Sequence, residues 1–215
     1  MTETSSTNCW IPLFPLGTAL FPGGFIALKI FEARYLDMMK RCLREDVPFG
    51  VISILDDKVF DSDAKAMANF SNIGTLAKLE EFDPIQPALY MTKSYGTQRF
   101  RVLEIRQESD GLWIGQVELI DADPATPLPR VHEKVASLLN DIISTIKSEG
   151  LLGDEAFKAS VNLNDCGWVS NRLAELLPLP LSQKNHLLAQ NNPRIRLDLI
   201  SEIIEDDGLH KILIH

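Results

Sequence analysis

The feature that most constrains this chain is a change in its hydrophobic period near Asp123. From Trp10 to about Asp123 the apolar residues come in short runs, rich in β-branched and aromatic members and parted by glycine, proline and aspartate. Five such runs read as strands: Phe49 to Leu55, Ile73 to Phe82, Leu89 to Lys93, Thr97 to Ile105 and Leu112 to Ile120. In the fourth, Phe100 and Val102 share one face, with Arg99, Arg101 and Leu103 on the other. The stretch Glu108 to Gly111, E-S-D-G, is a hairpin signal between the last two. Several short strands at close spacing predict an antiparallel barrel or sandwich. One helix interrupts them, with Tyr35, Leu36, Met39 and Leu43 on its apolar side and Asp37, Lys40, Arg41 and Arg44 facing away.

Past Asp123 the period becomes helical. The proline-rich connector D-A-D-P-A-T-P-L-P-R leads into Val131, Val135, Leu138, Leu139, Ile142, Ile143 and Ile146, one stripe along a helix that ends before Gly150. A short helix is expected around Ala156, another through Val169, Leu173, Leu176 and Leu177, and a third from near Ser182. Asn192-Pro193 supplies an N-cap with proline at the first helical position, opening a last stripe of Ile195, Leu199, Ile200, Ile203 and Ile204. The expected division is a flexible tail over 1–9, a β domain over 10–124 and helices over 125–215.

Composition narrows the function classes. At 215 residues the chain buries about 70% of its unfolded surface and needs no metal or disulfide to hold a core. The formal net charge is -9, with Lys and Arg dispersed, which argues against nucleic acid. Arg99, Arg101, Arg106 and Lys93 are the only candidates for an RNA-binding row. Cys9, Cys42 and Cys166 form neither C-x-x-C nor a zinc pattern, so a reducing cytoplasm is the expected home. The first ten residues lack the features of a signal peptide, and no apolar run has the length of a membrane span.

The search for chemistry is mostly negative. There is no phosphate-binding loop, no G-x-S-x-G and no G-x-G-x-x-G. His132-Glu133 begins like a zinc signature, but Ala136 stands where the second imidazole would be needed. Two S-x-x-K pairs, Ser62 with Lys65 and Ser144 with Lys147, read as solvated surface, as do the acidic pairs Asp56-Asp57 and Asp206-Asp207. The histidines at 132, 186, 210 and 215 are dispersed and expected at the surface or near the end. No cofactor, metal or catalytic residue is expected.

Local strings then become informative. "IPLFPLGTALFPGGFIALKIFEARYLDMM" resembles the opening block of the Lon protease N-terminal, or LON substrate-binding, family, with its P-L-x-P-L start, F-P-G turn and E-x-R-Y element. "FGVISI", "NIGTLAKLEEF", "YGTQRFRVLEI" and "GQVELI" follow in that family's order, and Leu173 to Ile200 is similar to its helical region. The resemblance implies an α+β fold: a PUA-like antiparallel β pseudobarrel with one inserted helix, followed by a C-terminal helical bundle. The sequence departs from the full protease, with no serine and lysine matching its peptidase motif, so a stand-alone member without ATPase or peptidase domains is expected, in which a protease name would reflect domain homology alone. The cysteine-pair zinc domain of cereblon, another user of the fold, is not matched.

The expected function is non-catalytic binding of unfolded or apolar polypeptide segments, as an adaptor in protein quality control beside a protease or chaperone. Glu32 and Arg34 read first as a charge pair at the strand-to-helix junction that holds Tyr35 inward; the alternative reading makes Phe21, Phe25, Phe31, Tyr35 and Met38 the lining of an apolar groove beside those charges. Pro22, Gly23 and Gly24 are expected to make a tight turn. An RNA-binding PUA-like protein and a small hydrolase are the alternatives. A second copy of the chain would fill such a groove equally well, so the oligomeric state is left open.

Overall fold

The computed structural model describes residues 9–55, 69–150 and 161–206. It is a mixed α+β protein with a six-stranded sheet and five helices among the described residues. The chain divides into two compact units, residues 1–122 and 123–215.

The first unit contains β1 (Cys9–Leu16), β2 (Phe25–Ile30), α1 (Ala33–Glu45), β3 (Phe49–Ile54), β4 (Phe70–Gln86), β5 (Leu89–Gln107) and β6 (Trp113–Leu119). The sheet order is β2-β5-β4-β3-β1-β6, and a further β5–β6 pairing closes five of the strands into a ring. Among the described residues only β1 and β3 run parallel. The runs expected at Leu89 to Lys93 and Thr97 to Ile105 are one strand, β5. Its first half pairs with β2 and its second half with β6, while β4 follows it along most of its length. The β4–β5 hairpin turns at Pro87-Ala88, where proline's fixed φ suits the first corner and Ala88 takes φ 60° at the second.

Phe100 sits in the middle of the ring, fully buried with Leu13, Ile52, Trp113 and Val117 around it. Gly74 makes that possible, since a Cβ there would fall 2.4 Å from the Phe100 ring and 2.5 Å from the Val51 carbonyl oxygen. A second apolar cluster joins Phe14, Phe49, Val51 and Leu79 to Tyr35, Leu36, Met38, Met39 and Cys42 of α1. Leu43 was expected on that face but is 50% exposed, because the stripe runs through 35, 38/39 and 42 and Leu43 lies about 100° past Cys42. The E-S-D-G turn forms as expected: Gly111, at φ 86°, donates to the Glu108 carbonyl, and Glu108 donates to that of Leu112.

The second unit holds a 3-10 turn (Arg130–His132) and helices α2 (Glu133–Glu149), α3 (Cys166–Leu176), α4 (Leu181–Ala189) and α5 (Pro193–Asp206). Val131 is 72% exposed within the 3-10 turn, so the buried stripe of α2 begins at Val135, and Gly150 caps its end. Asn192 caps α5 as expected, its Oδ1 accepting from the amides of Arg194 and Ile195. The buried stripe of α5 is Pro193, Arg196, Leu197, Ile200 and Ile204; Ile195, placed on it by periodicity, is 45% exposed. The expected helix at Ala156 lies outside the described residues.

Arg196 stands on the buried stripe of α5, where an aliphatic side chain would be expected, and is fully buried. It bridges both carboxylate oxygens of Asp123 at 2.6 and 3.1 Å and reaches Asn171 Oδ1 at 2.7 Å, the Leu187 carbonyl at 3.1 Å and the Gln190 carbonyl. A buried guanidinium is tolerable only when its donors are satisfied in this way.

Candidate functional site

The approach to α1 is built by a turn and a clamp. Phe21-Pro22-Gly23-Gly24 closes with the Gly24 amide donating to the Phe21 carbonyl at 2.9 Å, with Gly23 at φ 73°. That is the arrangement of a type II turn, with proline at the second position and glycine where φ must be positive. The turn is fastened to β5, because Gly23 donates to the Gly96 carbonyl and Gly96 to that of Gly24.

After β2 the chain enters α1 at Glu32, and Arg34 fixes the junction. Its Nε donates to Glu32 Oε2 at 2.9 Å, its Nη1 donates to the Gly111 carbonyl at 2.8 Å, and its guanidinium lies 4.7 Å from the centre of the Tyr35 ring. Tyr35 is held inward against Phe14, with ring centres 4.3 Å apart. Burial pushes the Tyr35 phenol above its ordinary range, opposed by the Arg34 charge. The guanidinium thus ties the start of α1 to the β5–β6 turn. Beside it, Met38, Asp37, Arg41, Glu108 and Asp110 line a cleft of about 330 Å³ that carries charges of both signs.

The seven candidate binding residues divide by exposure. Phe21, Tyr35 and Met38 are buried, at 0%, 8% and 1%, and their side chains serve packing. Phe25 is half-buried, Arg34 partly exposed and Glu32 exposed. Phe31 is 68% exposed. No single groove collects all seven.

Phe25 instead belongs to the outer face of the three-stranded extension β2-β5-β4. It lies opposite Tyr95, ring centres 5.3 Å apart, and the same face carries Ala27 with Lys93 and Lys29 with Met91. Lys93 is paired with Glu81 at 2.7 Å. Sequence reasoning missed Tyr95 and Lys29, since only the β2–β5 register brings them beside Phe25. The alternation of Phe25, Ala27, Lys29 and Phe31 was the available signal.

The row proposed for RNA is not assembled as a free cationic surface. Arg99 is 3% exposed, Lys93 is ion-paired, Arg106 lies 4.3 Å over the Trp10 ring, and Arg101 stands opposite Glu118. In the helical unit His132 is 5% exposed, correcting its expected surface position. Its Nε2 is 2.6 Å from Asp198 Oδ1 and its Nδ1 is 3.0 Å from Ser201 Oγ. That order is reminiscent of a hydrolase triad, but Ser201 also donates to the Leu197 carbonyl within its own helix, which makes the trio a helix-to-helix fastening. Ser144 donates to the Asn140 carbonyl in the same manner, while Ser62 and Lys65, Asp56, Asp57, Asp207, His210 and His215 lie outside the described residues. Among the described residues no three His, Cys, Asp or Glu converge as metal ligands, and no helix is long and apolar enough to cross a membrane.

Comparison with known proteins agrees with the local strings. The profile of the ATP-dependent protease La (LON) substrate-binding domain matches residues 10–206. The Lon protease of Halothermothrix orenii is 23% identical over 208 residues, covering 95% of this chain and 26% of that protein. Protein cereblon of Gallus gallus is 26% identical over 126 residues, 58% of this chain and 26% of its own. The chain therefore spans about a quarter of the length of the curated relatives it matches. Among solved structures, a Lon N-terminal domain protein from Xanthomonas campestris superposes with a TM-score of 0.71 at 32% identity, covering 90% of this chain and 98% of that one. The N-terminal domain of a Mycobacterium avium complex Lon protease shares the fold at a TM-score of 0.61 and 13% identity, over 92% of this chain and 99% of that one. With the profile spanning both units, the chain belongs to the LON substrate-binding domain family.

Proposed function

We propose that this protein is a non-catalytic module that binds unfolded or apolar segments of other polypeptides and acts as an adaptor in protein quality control. The observation that carries this reading is the match of a substrate-binding domain profile to residues 10–206. We read the closed five-stranded ring with its extension as a PUA-like pseudobarrel, with the helices from Glu133 onward as the following bundle. Phe25 and Phe31 are the apolar contacts, and Glu32 and Arg34 the flanking charges. An aromatic side chain as exposed as Phe31 gains contact area when a partner covers it. The three thiols, all free and two of them buried, support a reducing compartment.

The test is capture of reduced, carboxymethylated lactalbumin, a chain that cannot refold, by the purified protein at two salt concentrations and with tRNA as competitor. Capture little changed by salt or tRNA is the expected result. Salt-sensitive binding of tRNA with no capture of the unfolded chain would overturn the reading in favour of nucleic acid.

A further inference from the structure

The β2-β5-β4 extension has two edges, and they differ. The β4 edge is blunted in several of the ways available to a natural sheet. Its register shifts between Leu79 and Glu81 and again between Pro84 and Gln86; Pro84 lies in the strand; Lys78, Glu80 and Asp83 are exposed along it, with Lys78 3.3 Å from Asp46. The β2 edge has none of the breaks. Phe25 to Ile30 pair with Tyr95 to Tyr90 without a shift, no proline falls among the six residues, and among the described residues no strand pairs with the other side. In an antiparallel ladder alternate residues face each neighbour, so half of β2 turns its N–H and C=O outward.

The side chains of β2 also end two unfinished rows. On the inner face Ile26 and Leu28 continue the rows of Leu79 and Phe82 across β5, and both remain half-buried at the rim of the core cluster. On the outer face Ala27 and Lys29 are exposed beside Phe25, and Phe31 follows.

Resting on the reading of this protein as a polypeptide-binding module, we infer that clients bind by adding an extended strand to the β2 edge. Backbone N–H and C=O groups at strand spacing are complementary to another extended backbone, so the occupant is a stretch of unfolded chain. Its alternate residues are apolar, to complete the Ile26 and Leu28 rows. One of the intervening residues is acidic, to face Lys29. A second copy of this chain is the poorer occupant, because each copy carries a formal net charge of -9.

The experiment uses the full chain and a fluorescein-labelled synthetic peptide alternating valine and threonine, with one threonine replaced by glutamate. Two derivatives carry N-methyl groups on alternate amides, in the two possible phases. Strand addition requires one phase to weaken binding by about tenfold and the other to leave it nearly unchanged, since only alternate amides face β2. It also requires slower hydrogen exchange at Ala27 to Lys29 on peptide binding. Lys29→Glu should shift preference about threefold toward a lysine-bearing peptide. Equal effects of both phases, with lactalbumin still captured, would overturn strand addition and leave the broader function standing. Loss of both peptide binding and lactalbumin capture would overturn both. Protection of β2 without peptide, together with a doubled mass in sedimentation, would assign the edge to a second copy and overturn the inference.

Discussion

The two units place charge in opposite ways. In the strand unit the central buried side chain is Phe100, and the paired charges, such as Arg34 with Glu32 and Lys93 with Glu81, lie at the rim. In the helical unit the largest fully buried side chain is Arg196, and His132 and Arg172 are buried with it. A sheet that closes on itself satisfies its own backbone, so its buried polar side chains are mostly hydroxyls such as Thr75, Thr92 and Ser94, and Arg99 is the one buried charge there among the described residues. Helices joined by irregular segments leave carbonyls such as those of Leu187 and Gln190 pointing inward, and Arg196 answers them with donors. The principal charge pairs are thus buried in the helical unit and partly exposed at the rim of the strand unit.

Removing the buried Arg196 charge is the largest way to break the comparison. Arg196→Met keeps the bulk but leaves the Asp123 carboxylate and Asn171 Oδ1 without their shared donor. The expected loss is about 3–5 kcal/mol, the range for removing one member of a buried ion pair. Urea unfolding followed by far-ultraviolet circular dichroism, to which the helices of this unit contribute, reads it. If the loss were under about 1 kcal/mol, the cluster would be a solvated ornament and the contrast between the units would fail.

The contrast also explains what was readable in advance. Features set within a few residues were legible: the Asn192-Pro193 cap, the Glu108–Gly111 turn and the end of α2 at Gly150. The family was legible because it rests on an ordered set of such local strings. Arg196 was not, because its partner Asp123 is 73 residues away and periodicity counts an arginine as solvent-facing. His132 and Arg99 were misplaced for the same reason. Phe21 and Phe31 are the same residue type ten positions apart, one buried in the turn before β2 and one 68% exposed after it, a difference set by the fold around them and not by local pattern. The candidate site was therefore legible as a neighbourhood and not as a surface.

A smaller effect tests the rim. Arg34→Ala removes the donor to Gly111 and the pair with Glu32, both partly exposed, for an expected loss of about 1 kcal/mol. Arg34→Lys should recover little of it. A single ammonium does not reproduce a fork that reaches Glu32 and the Gly111 carbonyl together. Full recovery with lysine would show that only the charge matters at this junction.

The apolar contact between α1 and the sheet has its own signature in pH. Burial pushes the Cys42 thiol above its ordinary value of 9.0, with Arg41 opposing and Glu45 reinforcing. Above that value the unfolded chain loses the thiol proton while the folded chain keeps it. The folded state then binds more protons, and stability falls as pH rises. The stability of the natural protein minus that of Cys42→Ala should therefore be constant below pH 9.0 and decline above it. A flat difference through that range would mean that Cys42 meets water.

The smallest expected change in stability sharpens the comparison most. Phe31 lies between β2 and α1, 68% exposed, and belongs to neither of the buried clusters described around Phe100 and Tyr35. Phe31→Asp should shift unfolding by no more than about 0.5 kcal/mol, as surface substitutions do. If the rim is where this protein meets its clients, the same change should weaken capture of unfolded lactalbumin by about tenfold, the effect of truncating a central aromatic contact. Phe21→Ala provides the opposite control: a large loss of stability from a buried cavity, with binding affected only as far as folding is. Unchanged capture by Phe31→Asp would move recognition away from the β2–α1 junction. An exposed phenylalanine that costs the fold nothing to lose would then have no role in either folding or client binding.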